Sequence, residues 1–150
     1  MMTIMRSLLK RWHKFWLRLL SLETSPKQLA RGLAVGVFAG FFPLFGFQTI
    51  IGVFLAILFS GNKIAATAAT WVSNPFTYIP IYWFNYQVGS LLLGGDKLDP
   101  LVVTGKTWQE VLEVLLERSY ILFFGCLVVG LIAAIATYFI SLHFILSRQD

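Results

Sequence analysis

Three stretches of this chain hold no charged side chain: Gly32 to Asn62, Ile64 to Gly95 and Ser119 to Ser147. Each is longer than the roughly 20 apolar residues a helix needs to cross a hydrocarbon layer about 30 Å thick. Ahead of them, Arg6, Lys10, Lys14 and Arg18 recur every four residues, and Leu8, Trp12, Phe15, Trp16 and Leu19 fall on the opposite helical face. That pattern predicts a helix from Ile4 to Leu20 lying in a membrane interface. Trp12 and Trp16 would sit at headgroup level, with Arg6, Lys10, Lys14 and Arg18 toward anionic lipid.

The first apolar stretch opens at Ser25-Pro26, proline being tolerated in a first helical turn. Gly32, Gly36 and Gly40 follow at four-residue spacing, a face that lets another helix approach closely. A break is predicted from Phe42 to Thr49, because Pro43 removes a donor and Gly46 permits backbone angles other residues avoid. Apolar sequence resumes from Ile50 to Phe59 and ends in the turn Ser60-Gly61-Asn62-Lys63. The second stretch reads as a repeat of this plan. The small residues from Ala65 to Thr70 lead to a second break, and Asn74 as N-cap with Pro75 as first helical residue predicts a helix from there to about Leu93. Pro80 lies just inside it.

Length constrains what these stretches can be. The 31 residues from Gly32 to Asn62 make about 46 Å of helix at ~1.5 Å per residue, too long for one straight crossing and too short for two. Each is one tilted, broken span or a pair of half-helices meeting inside the membrane. Straight passage through both would put Lys63 outside and the loop after Gly94 inside. Two re-entrant hairpins would keep both on the N-terminal side.

Residues 95–119 form the water-exposed region of greatest length. Asp96, Asp99, Glu110, Glu113 and Glu117 stand there against Lys97, Lys106 and Arg118. Thr107 with Glu110 fits a capping box, which predicts a short helix to about Arg118 with Val111, Leu112 and Leu115 facing membrane or bundle. Tyr120 to Leu146 is then the cleanest spanning helix, with Gly130, Ala133, Ala134 and Thr137 as a small-residue face. The chain divides into an interfacial helix (1–24), a membrane domain of two broken segments (25–94), a polar loop with a short amphipathic helix (95–119) and a transmembrane helix (120–147).

Composition agrees. The chain is 57% hydrophobic and 13% charged, against about 25% charged in soluble domains, and 150 residues leave room for one domain. The fold class is an all-α integral membrane protein. The basic residues beside the first stretch, Lys27 and Arg31 included, place the N-terminus in the cytoplasm. They have an apolar face to explain them, so no nucleic-acid partner is expected. The start lacks the short apolar core and cleavage site of a signal peptide.

Chemistry is sparse. His13 and His143 have no partner at ligand spacing, and a lone cysteine, Cys126, makes neither a zinc motif nor an internal disulfide; it reads as a small packing residue. No acidic side chain falls inside an apolar stretch, which argues against a proton relay. The glycines match no phosphate-binding loop. Glu110, Glu113 and Glu117 share a face and read as solvated. No enzymatic activity, cofactor or metal is expected. What remains is uncharged polarity at the breaks: Gln48, Thr49, Ser73, Asn74 and Thr77, with Asn62 and Lys63 at the turn between and Asn85 and Gln87 further on. These side chains either satisfy backbone groups freed by Pro43, Pro75 and Pro80, or build a polar site near mid-membrane.

Several of these pieces are distinctive together: the run Gly32 to Phe38, then Pro43 with Gly46-Phe47-Gln48-Thr49, then Asn62-Lys63, then Thr70-Trp71-Val72-Ser73-Asn74-Pro75-Phe76-Thr77 with Pro80 and Gly89. Over about residues 25–94 this resembles the bacterial membrane family known as domain of unknown function two-zero-six-two. The resemblance implies a multi-pass domain of the bacterial inner membrane, sometimes attached to glycosyltransferase domains, and brings no activity or ligand with it. The N-terminal helix lies outside it. The expected role is structural or accessory, with anionic lipid headgroups as the surface partner. The alternatives are a small homo-oligomeric channel or transporter using the polar breaks, and a membrane accessory to a glycosyltransferase or a lipid-linked substrate.

Overall fold

The computed structural model describes residues 2–21, 24–95 and 107–149, with the backbone alone described for 15–21, 108, 111–112 and 114–115. These residues form seven α-helices, one short 3₁₀ turn and no strand. Lys97, Lys106, Asp96 and Asp99 lie outside them, as do the side chains of Phe15, Trp16, Arg18, Leu19, Val111, Leu112 and Leu115.

Helix α1, Met2–Ser21, carries no acidic residue in its first turn. Its apolar side chains Ile4, Leu8, Leu9 and Trp12 are exposed, as are Arg6, Lys10 and Lys14. Helix α2, Pro26–Gly40, starts at a capping box in which Ser25 and Gln28 satisfy each other's backbone N–H. Helix α3, Gln48–Leu58, follows the Pro43 break. Gly46 lies in the left-handed region at φ 80°, and the Phe47 N–H donates to Leu44 O to close the turn. Helix α4, Lys63–Ala69, is capped by Asn62 and runs into the 3₁₀ turn Thr70–Val72.

The second long helix begins later than the sequence predicts. Helix α5 spans Tyr78–Leu93, not Pro75 onward, because Asn74 is used in a turn. Its Oδ1 accepts from Phe76 N at 3.0 Å, and its own N–H donates to Thr77 Oγ1 at 2.8 Å. Pro80 then falls in the first turn of α5, where it interrupts nothing. The helix ends at Gly94, left-handed at φ 75°, whose N–H returns to Ser90 O. Helix α6, Trp108–Glu117, has the Thr107–Glu110 capping box. Helix α7, Ser119–Ser147, is long and apolar enough to cross a membrane.

The glycines of α2 show how the helices lie. A Cβ on Gly32 would overlap Asn62 O, and one on Gly36 would overlap Ala66 O. On Gly40 it would come 2.6 Å from the Val72 side chain. Helix α4 and the 3₁₀ turn therefore run beside α2 in the same direction. Helix α3 runs the other way: Gly52 lies near the Ala39 side chain, while Gly61, past its far end, touches the backbone of Gly32.

Both apolar stretches keep the order helix, break, helix, yet they fold differently. Helices α2 and α3 form a hairpin, but α5 packs on α7 rather than folding back on α4. Along α7, Asn85 O meets Gly125 and Gly89 meets Ile121 O, so α5 and α7 are antiparallel. Within that same stretch of α7, Phe42 faces Phe123 with ring centroids 6.2 Å apart, and further along Phe38 packs on Gly130. Helices α2 and α5 thus lie in succession, both antiparallel to α7. The core sits where they meet: Tyr82, Tyr86, Ile121, Leu122 and Cys126, with Phe42, Tyr78 and Ile81 against it.

Candidate functional site

The two breaks, 25 residues apart at Gln48 and Ser73, come together in space. Gln48 is buried at the first turn of α3 although glutamine is a poor core residue. Its Nε2 donates to Phe42 O at 2.7 Å and to Tyr82 Oη at 3.2 Å. Its Oε1 accepts from Ser73 Oγ at 3.0 Å. One amide therefore ties the end of α2, the start of α3, the second break and α5. The Phe42 carbonyl, just past the end of α2, also accepts from the Leu44 N–H at 2.8 Å and from the Tyr82 hydroxyl at 3.3 Å. The pairing with Phe42 O fixes which end of the amide is the donor.

Beside this knot, the Thr49 and Thr70 hydroxyls are 3.3 Å apart, and Thr70 Oγ1 donates to Thr67 O at 2.7 Å. On the second break, Thr77 Oγ1 donates to Val72 O at 2.9 Å, and Asn74 Nδ2 reaches Trp71 O at 3.4 Å. Asn85, fully buried in α5, donates to Phe41 O at 3.1 Å and to Cys126 Sγ at 3.3 Å. The same chemistry repeats at Phe41, Trp71 and Val72. A backbone carbonyl that lost its helical donor takes one from a side chain, as buried backbone requires.

Of the sequence-predicted residues, Gln48 and Thr49 sit in this knot, with Asn74, Pro75 and Thr77 on the break that adjoins it. Pro43 and Gly46 shape the reversal without a polar contact of their own, and Pro80 stands in α5. Asn62 and Lys63 lie at the far end of α3, about 16 Å away at ~1.5 Å per residue. There Asn62 Nδ2 donates to Thr24 Oγ1 at 2.8 Å, its Oδ1 accepts from Ala65 N at 2.9 Å, and its N–H donates to Gln28 O at 2.9 Å. This second clasp pins the start of α4 to the start of α2, and Lys63 beside it is exposed. Tyr82 was missed by the sequence reading. A tyrosine four residues after Tyr78 on an apolar helix was its only signal, since a buried tyrosine usually finds a partner for its hydroxyl.

A cleft of about 340 Å³ opens next to the knot, walled by Phe45, Pro75, Tyr78 and Ile79. Tyr78 stacks on Tyr82 at 5.8 Å and meets Phe45 edge-on at 4.7 Å. The walls are apolar, while Gln48 and Ser73 are buried behind them. Among the described residues no group of three His, Cys, Asp or Glu could hold a metal.

A family model described as an uncharacterized protein conserved in bacteria (DUF2062) matches residues 9–150. The chain belongs to the DUF2062 family. The match extends well beyond residues 25–94, taking in α7 and much of α1, so the N-terminal helix does not lie outside the family pattern as the sequence reading had it. No curated protein and no solved structure matches the chain.

Proposed function

We propose that this DUF2062 protein is a multi-pass protein of the bacterial inner membrane, its N-terminus cytoplasmic, acting as a structural or accessory element and not as an enzyme. The observation that carries this reading is the use to which the break polarity is put. Gln48, Ser73, Thr77, Tyr82 and Asn85 spend donors on the chain's own freed carbonyls or on one another. A solute site would need such groups turned toward an open cavity, and the adjoining cleft is apolar.

A lipid setting is supported by the outer faces. Ile50, Phe54, Ile57 and Leu58 on α3, and Leu131, Ile132, Ile135, Phe139 and Ile140 on α7, are all exposed. In water that much contiguous apolar surface would drive aggregation. Helix α1 fits the surface of an anionic leaflet, its apolar side in the acyl boundary and Arg6, Lys10 and Lys14 toward phosphate. An accessory role works through a membrane partner, either another copy of the chain or a glycosyltransferase.

The test is reconstitution into liposomes with entrapped ions and a small polar dye. Release no faster than from protein-free vesicles is expected. Flux that Gln48→Ala abolishes in a chain that stays folded would overturn the structural reading in favour of an oligomeric channel.

A further inference from the structure

Resting on the membrane reading above, we infer that the two broken segments take different routes: α2 and α3 form a re-entrant hairpin, whereas α4 and α5 make one interrupted crossing. Both termini and Lys63 then share one side, and α6 faces the other.

The hairpin is given by its two ends. The Asn62 N–H donates to Gln28 O at 2.9 Å, and Asn62 Nδ2 bonds Thr24. The turn between α3 and α4 thus lies beside the first turn of α2. A segment that begins and ends at one place has not crossed. Helix α2 has 15 residues, about 22 Å at ~1.5 Å per residue, which reaches partway through a layer about 30 Å thick.

The second segment keeps its direction. Helix α4 runs parallel to α2, and α5, like α2, runs antiparallel to α7. From Lys63 to Leu93 the chain therefore advances one way, interrupted only by the turn at 73–77. The 7 residues of α4 and 16 of α5 supply about 35 Å of helix, enough for a crossing. Helix α7 returns alongside, its first half covered by α5 and its next part by α2. At 29 residues, about 43 Å, it nearly matches the 16 and 15 residues of those two partners laid in succession, about 46 Å. The break in the crossing is tied to the hairpin tip by Ser73 Oγ donating to Gln48 Oε1, and Thr77 Oγ1 donates to its Val72 and Asn74 carbonyls, so its irregular backbone is bonded within the protein although Pro75 and Phe76 are exposed.

Charge does not make this choice. Straight passage, two hairpins and the mixed route all leave most Lys and Arg on the N-terminal side, so the positive-inside rule accepts each of them.

Single cysteines at four exposed positions decide it: Lys27→Cys, Lys63→Cys, Gln109→Cys and Arg148→Cys, labelled with a membrane-impermeant maleimide before and after permeabilisation. Native Cys126 is fully buried, and the unsubstituted chain serves as blank. Labelling of Gln109→Cys in intact cells, with the other three reacting only after permeabilisation, is expected. Lys27→Cys and Lys63→Cys on opposite sides would overturn the hairpin. Gln109→Cys on the same side as Lys63→Cys would overturn the crossing. The underlying reading fails separately: release of the chain from membranes by alkaline carbonate would refute the integral placement, and external labelling of Lys27→Cys would refute a cytoplasmic N-terminus.

Discussion

Removing the amide at Gln48 tests the central knot. Gln48→Ala deletes two donated bonds, to Phe42 O and Tyr82 Oη, and one accepted from Ser73. A net hydrogen bond is worth about 0.5–1.5 kcal/mol in proteins, and about 0.6 kcal/mol on average between membrane helices. Three bonds give about 2–3 kcal/mol. Phe42 O keeps the Tyr82 hydroxyl at 3.3 Å, so that carbonyl is not stranded. Ser73, only 5% exposed, loses its acceptor, which adds about 1 kcal/mol at the low end of the cost of an unmet buried group. The expected destabilisation is about 3–4 kcal/mol, read from reversible unfolding in mixed micelles titrated with a denaturing detergent. Thr67→Ala is the control. It removes one bond within α4, to Lys63 O at 2.9 Å, and should cost under about 1 kcal/mol. If Gln48→Ala were no worse than Thr67→Ala, the knot would not hold the breaks together.

Two further outcomes follow from close packing and charge. Gly125→Ala places a methyl group on Asn85 O, a backbone atom that cannot turn aside, so α5 and α7 must part. The same unfolding assay should show a loss of about 3 kcal/mol, at the upper end for overpacking. Gly46→Ala meets nothing within 4 Å but sits at φ 80°, and should cost only about 1–2 kcal/mol in backbone strain; equal losses would refute the α5–α7 contact. For α1, Lys10→Glu with Lys14→Glu in a peptide of residues 2–21 should weaken partition into anionic vesicles by at least about 2 kcal/mol, roughly thirtyfold, at about 1 kcal/mol per basic residue. No change, or an equal change with neutral vesicles, would refute the surface role.

Much of this architecture was legible from local pattern alone. The Thr107–Glu110 box and the uncharged run after Arg118 placed α6 and α7 nearly to the residue, because capping and hydropathy act within one turn. The four-residue spacing of Gly32, Gly36 and Gly40 marked a face for close approach before any neighbour was known. Pro43 and Asn74-Pro75 were both legible as breaks. What punctuation cannot convey is direction. The chain reverses at Pro43 and Gly46 but continues past Pro75, though both sites read alike along the sequence.

The choice rests on groups far apart in the chain: Gln48 bonded to Ser73 and Tyr82, Asn62 to Gln28 and Thr24, Gly125 against Asn85. The sequence by itself determined most helix ends, the start of α5 excepted, and which faces are apolar, since those follow from backbone sterics and the burial of neighbouring side chains. Only the tertiary structure decided the route, because a freed carbonyl accepts whichever donor the packed helices bring within about 3 Å of it.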